Sequence, residues 1–198
     1  MRDFKHPAGL LFGLVLLFQC GNEWSMAGWL PVILIRRLGI SPEASLFMLA
    51  FYFACLMLGR MAAQVLLKVV NQRLLLVVST SIALLGFLIL ASTTNRFGAA
   101  TAILFIGAGY ASIYPLAMER VGGRFSAYHP VFYHGIFTIA FTGGMLAPAM
   151  LGYASQVWDV QGAILIPLLG SCLVFLLVLA IMLAAKLSGV GSRSGSQI

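Results

Sequence analysis

Six apolar stretches joined by short polar connections leave this chain few choices of fold. They cover about 7–35, 43–68, 73–93, 97–118, 131–154 and 162–185. Each is long enough to cross a bilayer, which takes about 20 apolar residues in a helix. Only 9% of the residues are charged, against about 25% in a soluble domain, so the chain cannot clothe a globule in polar side chains. Helices satisfy their own backbone groups in lipid, where open strands cannot. The expected fold is therefore all-α: a polytopic membrane protein of six transmembrane helices over residues 1–186. Residues 187–198 (LSGVGSRSGSQI) form a Gly/Ser-rich tail expected to be disordered and cytoplasmic.

The connections are polar and punctuated. Arg36 to Pro42 joins the first two spans, with Ser41 placed to cap a helix and Pro42 at its first position. Thr94, Asn95 and Arg96 make a tight turn, ERVGGRFSAYHP is the longest internal loop, and QVWDVQ precedes the last span. The net charge of +7 does not point to nucleic acid, because the basic residues lie at span ends rather than in a run. Eight of them (Arg2, Lys5, Lys68, Arg73, Arg120, Arg124, Lys186, Arg193) fall on one side and three (Arg36, Arg37, Arg96) on the other. The positive-inside rule then places both termini in the cytoplasm, in an inner or plasma membrane. The start, MRDFKHP followed by an apolar run, has the look of a secretion signal, but the run continues to Ile35 and is read as the first span.

The first span is polar in its middle. QCGNEWSMAGWLP, Gln19 to Pro31, puts two amides and a carboxylate at membrane depth, where a charged side chain costs at least ~2.5–3.5 kcal/mol. Gln19, Asn22, Glu23 and Met26 are spaced to share one helical face, and that face is expected to line a substrate path, with Pro31 breaking the helix. Gly21, Gly28 and Pro31 in the first span are echoed by Gly107, Gly109 and Pro115 in the fourth. Three spans separate the two sets, so they run in opposite directions. Paired Gly/Pro-interrupted spans of this kind mark transporter binding sites and predict a 3+3 inverted repeat.

GNEWSMAGWLP in the first span, GRMAAQVLLKVVNQRLLL at the end of the second, IYPLAMERVG at the end of the fourth and FTIAFTGGMLAPAMLGY in the fifth resemble the C-terminal half of a major facilitator superfamily transporter, closest to the fucose permease-like sugar/proton symporters. The resemblance spans nearly the whole chain. It implies twelve helices in two six-helix halves with the solute held between them, this chain supplying the seventh to twelfth. MRDFKHP then looks like the end of the linker between halves. The implied partners are a small solute, sugar favoured, membrane lipid, and either an N-terminal six-helix half or a second copy of this chain packed in parallel.

Candidate site residues follow. Gln19 and Asn22 offer amides that donate and accept, suited to a polyol. Glu23 either accepts sugar hydroxyls or carries the coupled proton, since burial disfavours a carboxylate's charge; a structural bond to a neighbouring helix is its bland alternative. Trp24 and Trp29 are placed to stack on a sugar face, with interface anchoring an equal alternative for Trp29, and Trp158 suits an interface anchor. Tyr110 and Tyr114, at i and i+4, point one way from the fourth span into the same cavity. His134, near the start of the fifth span, is a second proton-coupling candidate. Arg60 follows Gly59 in a pair that resembles the superfamily's cytoplasmic gating motif, and its expected partner is Glu119. Gly143, Gly144 and Ala147 are read as a packing face.

No Ser/His/Asp set, P-loop, HExxH or dinucleotide fingerprint occurs, so no enzyme activity is expected. The three cysteines are far apart and apolar in context, and no cofactor or metal is expected. The leading expectation is a secondary transporter half that moves a sugar or similar small polar solute by alternating access, coupled to protons; the rival is a truncated or regulatory non-transporting membrane protein that packs with another helical half.

Overall fold

The computed structural model describes residues 7–124 and 130–194, and these are helical almost throughout. The helices are α1 (Pro7–Leu38), α2 (Pro42–Leu66), α3 (Gln72–Ser92), α4 (Arg96–Arg124), α5 (Pro130–Val157), a short α6 (Asp159–Ala163) and α7 (Leu165–Ser194). All but α6 contain a stretch long and apolar enough to span a membrane.

Local chemistry sets the ends. α1 stops at Gly39, whose φ of 61° is left-handed and suits glycine there. The Gly39 and Ile40 N–H groups donate back to the carbonyls of Ile35 and Leu34, and Ile40 tucks into the core. Ser41 caps α2, its hydroxyl accepting from the Ala44 N–H at 3.4 Å, with Pro42 at the first position. Asn71 caps α3 and Asn95 caps α4, through side-chain oxygens that accept from Arg73 N–H and Gly98 N–H. The Arg37 guanidinium donates to the carbonyls of Leu90 and Ala91 at the end of α3, where a cation complements the helix dipole.

Three features differ from expectation. α1 continues through Pro31, and α4 through Pro115. A proline deletes one backbone donor, but packed neighbours in a membrane let the helix carry on, so neither is a break. α7 runs past Ala184 to Ser194, so residues 187–194 prolong the helix where a disordered tail was expected. Residues 195–198 and the start of the chain before Pro7 lie outside the described residues, as does much of the expected loop at 125–129.

The packing has the symmetry of an inverted repeat. α1 packs on α5 as α4 packs on α2, and α1 on α7 as α4 on α3; α1 meets α4 and α3 meets α7 across the pseudo-axis. The close approaches repeat too. A Cβ on Gly21 would lie 2.9 Å from that of Ala147, between α1 and α5; one on Gly107 would lie 2.7 Å from that of Cys55, between α4 and α2. Small residues let membrane helices approach this closely. The Gly28/Gly109 match does not hold: nothing lies within 4 Å of a Cβ at Gly28, whereas one at Gly109 would meet the α3 backbone at Ala83 N, 2.6 Å away. α1 and α4 are the most buried spans, and α2 and α5 the least.

Candidate functional site

α1, α2, α4 and α5 enclose a cleft of about 310 Å³ lined by Cys20, Glu23, Trp24, Arg60, Tyr114, Pro115, Ala140 and Phe141. That is the lower end of small-molecule sites. Its polar centre is an ion pair: Arg60 Nη2 donates to Glu23 Oε1 at 2.8 Å. The side chains are 49% and 21% exposed, respectively, so the pair faces the cleft instead of being sealed behind it.

This corrects the expected Arg60–Glu119 pair. Gly59 packs against α4 at the level of Ala108 and Ala111. Glu119 lies eight residues beyond Ala111, about 12 Å along the helix, while Glu23 sits at Arg60's own depth. Glu119 is exposed and joins no ion pair among the described residues.

The single polar face expected on α1 is divided in two. Consecutive residues on a helix point about 100° apart, so Asn22 and Glu23 face different neighbours. Asn22 is buried, and its Nδ2 donates to Ser171 Oγ on α7 at 3.4 Å. Ser171 Oγ in turn shares a 2.9 Å hydrogen bond with the Tyr110 hydroxyl on α4. Gly170 makes room for this chain: a Cβ there would collide with the Asn22 amide. Tyr110 is therefore an interior strut, and only Tyr114 of the two tyrosines reaches the cleft. Met26 is wholly buried, as is Gln19, whose amide oxygen and nitrogen lack hydrogen-bond partners. Trp24 is exposed and lies over Gly144, whose added Cβ would be 3.2 Å from its ring. Trp29 packs against Gly152, Leu151 and Ala154, while Trp158 is exposed beside α6. His134 is exposed on α5 and does not line the cleft; Ala140 lies six residues on, about 9 Å along the helix.

Sequence reasoning missed Ser171, one of the few polar residues in the last span. A hydroxyl in so apolar a stretch was the available signal. Ser171→Ala strands both Tyr110 and Asn22. It is expected to destabilise the chain by about 1–2 kcal/mol, and a double-mutant cycle of Ser171→Ala with Tyr110→Phe should give a coupling of about 0.6–1.7 kcal/mol. Thermal unfolding in detergent measures this; additive effects would mean the bond contributes nothing.

Two further clefts of about 400 and 350 Å³ run along α5 and α7. Apart from Asn22, their walls are apolar or aromatic, and they offer a polar solute little.

No family model matches the chain. It is 22% identical, over 156 residues, to an uncharacterised MFS-type transporter of Yersinia pestis, covering 78% of this chain and 41% of that protein. The solved structure of the MFS transporter FucP in the outward conformation superposes with a TM-score of 0.75 at 17% identity, over 89% of this chain and 43% of that one. A POT family transporter in complex with a thioalcohol-conjugated peptide gives 0.79 at 14% identity, over 90% and 39%. The chain thus spans about two fifths of the length of these proteins. The chain has the fold of one six-helix half of these transporters.

Proposed function

We propose that this chain forms one half of a secondary transporter that moves a small hydroxylated solute by alternating access, with a proton as the coupled ion. The observation that carries this is the Glu23–Arg60 pair, held at membrane depth in a cleft among α1, α2, α4 and α5. Charges are kept inside membranes at a cost and mark solute or ion paths. Trp24 and Phe141 give the cleft aromatic walls and Tyr114 a hydroxyl, a combination suited to a sugar. The resemblance to fucose permease-like symporters favours the same solute class, although one similar structure is that of a peptide-bound POT transporter. Glu23 is the proton-coupling candidate on geometry, since His134 stands off the cleft. A complementary six-helix half completes the solute path, and the exposed faces of α2 and α5, with Phe53, Met57, Met61 and Met145, are where it packs. The loop charges set both termini on the cytoplasmic side.

Proteoliposomes carrying this chain with its complementary half test the reading. Sugar uptake should rise several-fold when an inward proton gradient is imposed, and Glu23→Gln should remove that rise. Uptake indifferent to the gradient would discard proton coupling; absence of any uptake would discard transport and favour a regulatory membrane protein.

A further inference from the structure

We infer that Arg60 is an anion receptor which Glu23 occupies in the absence of solute, so that the solute carries a carboxylate beside its hydroxyls, as a sugar acid does. This rests on the transporter reading above.

Three observations carry it. Arg60 lies within α2 in the apolar part of a span, and its side chain is half-exposed to the cleft. A guanidinium has five N–H donors arranged to grip a carboxylate by two of them. Glu23 engages Arg60 through a single bond, from Nη2 to Oε1. An ion pair built only to lock α1 to α2 would be expected to use the fork in full. Glu23 also has somewhere else to go. Gln19 lies one turn before it on α1, wholly buried, its amide close enough to act on the Glu23 carboxylate but without a hydrogen bond of normal geometry. The Tyr52 hydroxyl, two turns before Arg60 on α2, is likewise buried and unpartnered. Leaving such groups unsatisfied is costly, so two vacant partners beside one singly bonded carboxylate describe a group with a second resting place.

The exchange keeps the cleft neutral. In one arrangement Glu23 carboxylate neutralises Arg60. In the other the solute's carboxylate takes Arg60, while Glu23 accepts a proton from the aqueous side and turns to Gln19. One monoanion thus enters with one proton, and at no stage is a lone charge left at membrane depth. The titratable groups facing Glu23 are Cys20 on α1, Arg60 and Tyr52 on α2, and Tyr110 and Tyr114 on α4; α5 presents Ala140 and Phe141 to the cleft.

Trp24 lines the cleft and reports on it. With Trp29 and Trp158 replaced by phenylalanine, the chain reconstituted in lipid nanodiscs with a tryptophan-free complementary half is titrated with D-glucuronate and with D-glucose, which differ in a carboxylate for a hydroxymethyl, and with lactate and acetate as plain carboxylates. Trp24 emission should respond to glucuronate at a concentration at least about tenfold below glucose, as a charge-assisted fork bond implies. Arg60→Gln should abolish that preference, and Arg60→Lys, which keeps the charge without the fork, should restore part of it. Glu23→Gln should tighten glucuronate about tenfold by removing the competitor. A merely structural pair predicts the opposite, with Glu23→Gln and Arg60→Gln weakening every response alike. Equal affinities for glucose and glucuronate, insensitive to Arg60→Gln, would overturn the anion assignment while leaving a sugar transporter standing. No saturable response to any of the four would overturn both.

Discussion

Gly143→Leu is expected to lower the thermal midpoint of the chain in detergent by about 6–12 °C. A Cβ at this position would run into the backbone carbonyl of Leu17 on α1. No rotamer relieves such a contact, because the obstacle is main chain; the helices must separate. Overpacking costs about 1–3 kcal/mol, occasionally more, and about 2–4 °C accompanies each kcal/mol in a chain of this size. The α1–α5 contact is one of the two most extensive in the molecule, which puts the effect at the upper end. Gly28→Ala is the control. Nothing lies within 4 Å of its added Cβ, and removing a glycine from a helix interior should stabilise by about 0.5–1 kcal/mol. If Gly143→Leu melted with the parent, the α1–α5 packing described above would be wrong.

Charge reversal at the cleft should be nearly as damaging. Arg60→Glu sets a second carboxylate opposite Glu23. Two like charges about 4 Å apart repel by about 4 kcal/mol at an effective dielectric of 20, and partial exposure of both groups brings the expected loss to about 2 kcal/mol. Glu23→Arg should cost a similar amount. Combining the two restores an ion pair with its ends exchanged and should recover more than half of the loss. Arg60→Glu with Glu119→Arg should recover none, since Glu119 lies about two turns away along α4. Rescue by the Glu119 combination, rather than the Glu23 one, would return the pairing to that residue.

The number and extent of the spans were legible because hydrophobicity is a local property of the chain. So were the caps: Ser41 with Pro42, and the polar turn through Asn95, act within a few residues of themselves. The inverted repeat was half legible. Gly21 and Gly107 do occupy equivalent close approaches, whereas Gly28 and Gly109 do not. Sequence spacing alone cannot say which face of a helix a glycine shows to which neighbour. Pro31 and Pro115 were over-read for a related reason: whether a proline ends a helix depends on the neighbours that support the freed backbone groups.

For the site, sequence determined which polar groups had to find partners in the bilayer: Gln19, Asn22, Glu23 and Arg60 could not be left to lipid. Their number, types and helical spacing are properties of one segment at a time. Tertiary structure decided the pairings. Asn22 went to Ser171 and thence to Tyr110, Glu23 went to Arg60, and Gln19 was left unpartnered. A hydrogen bond between helices requires the two groups to match in depth and in rotation about each axis. Those two quantities are set where backbones meet at Gly21, Gly59, Gly107 and Gly143, contacts between helices that lie far apart in the chain.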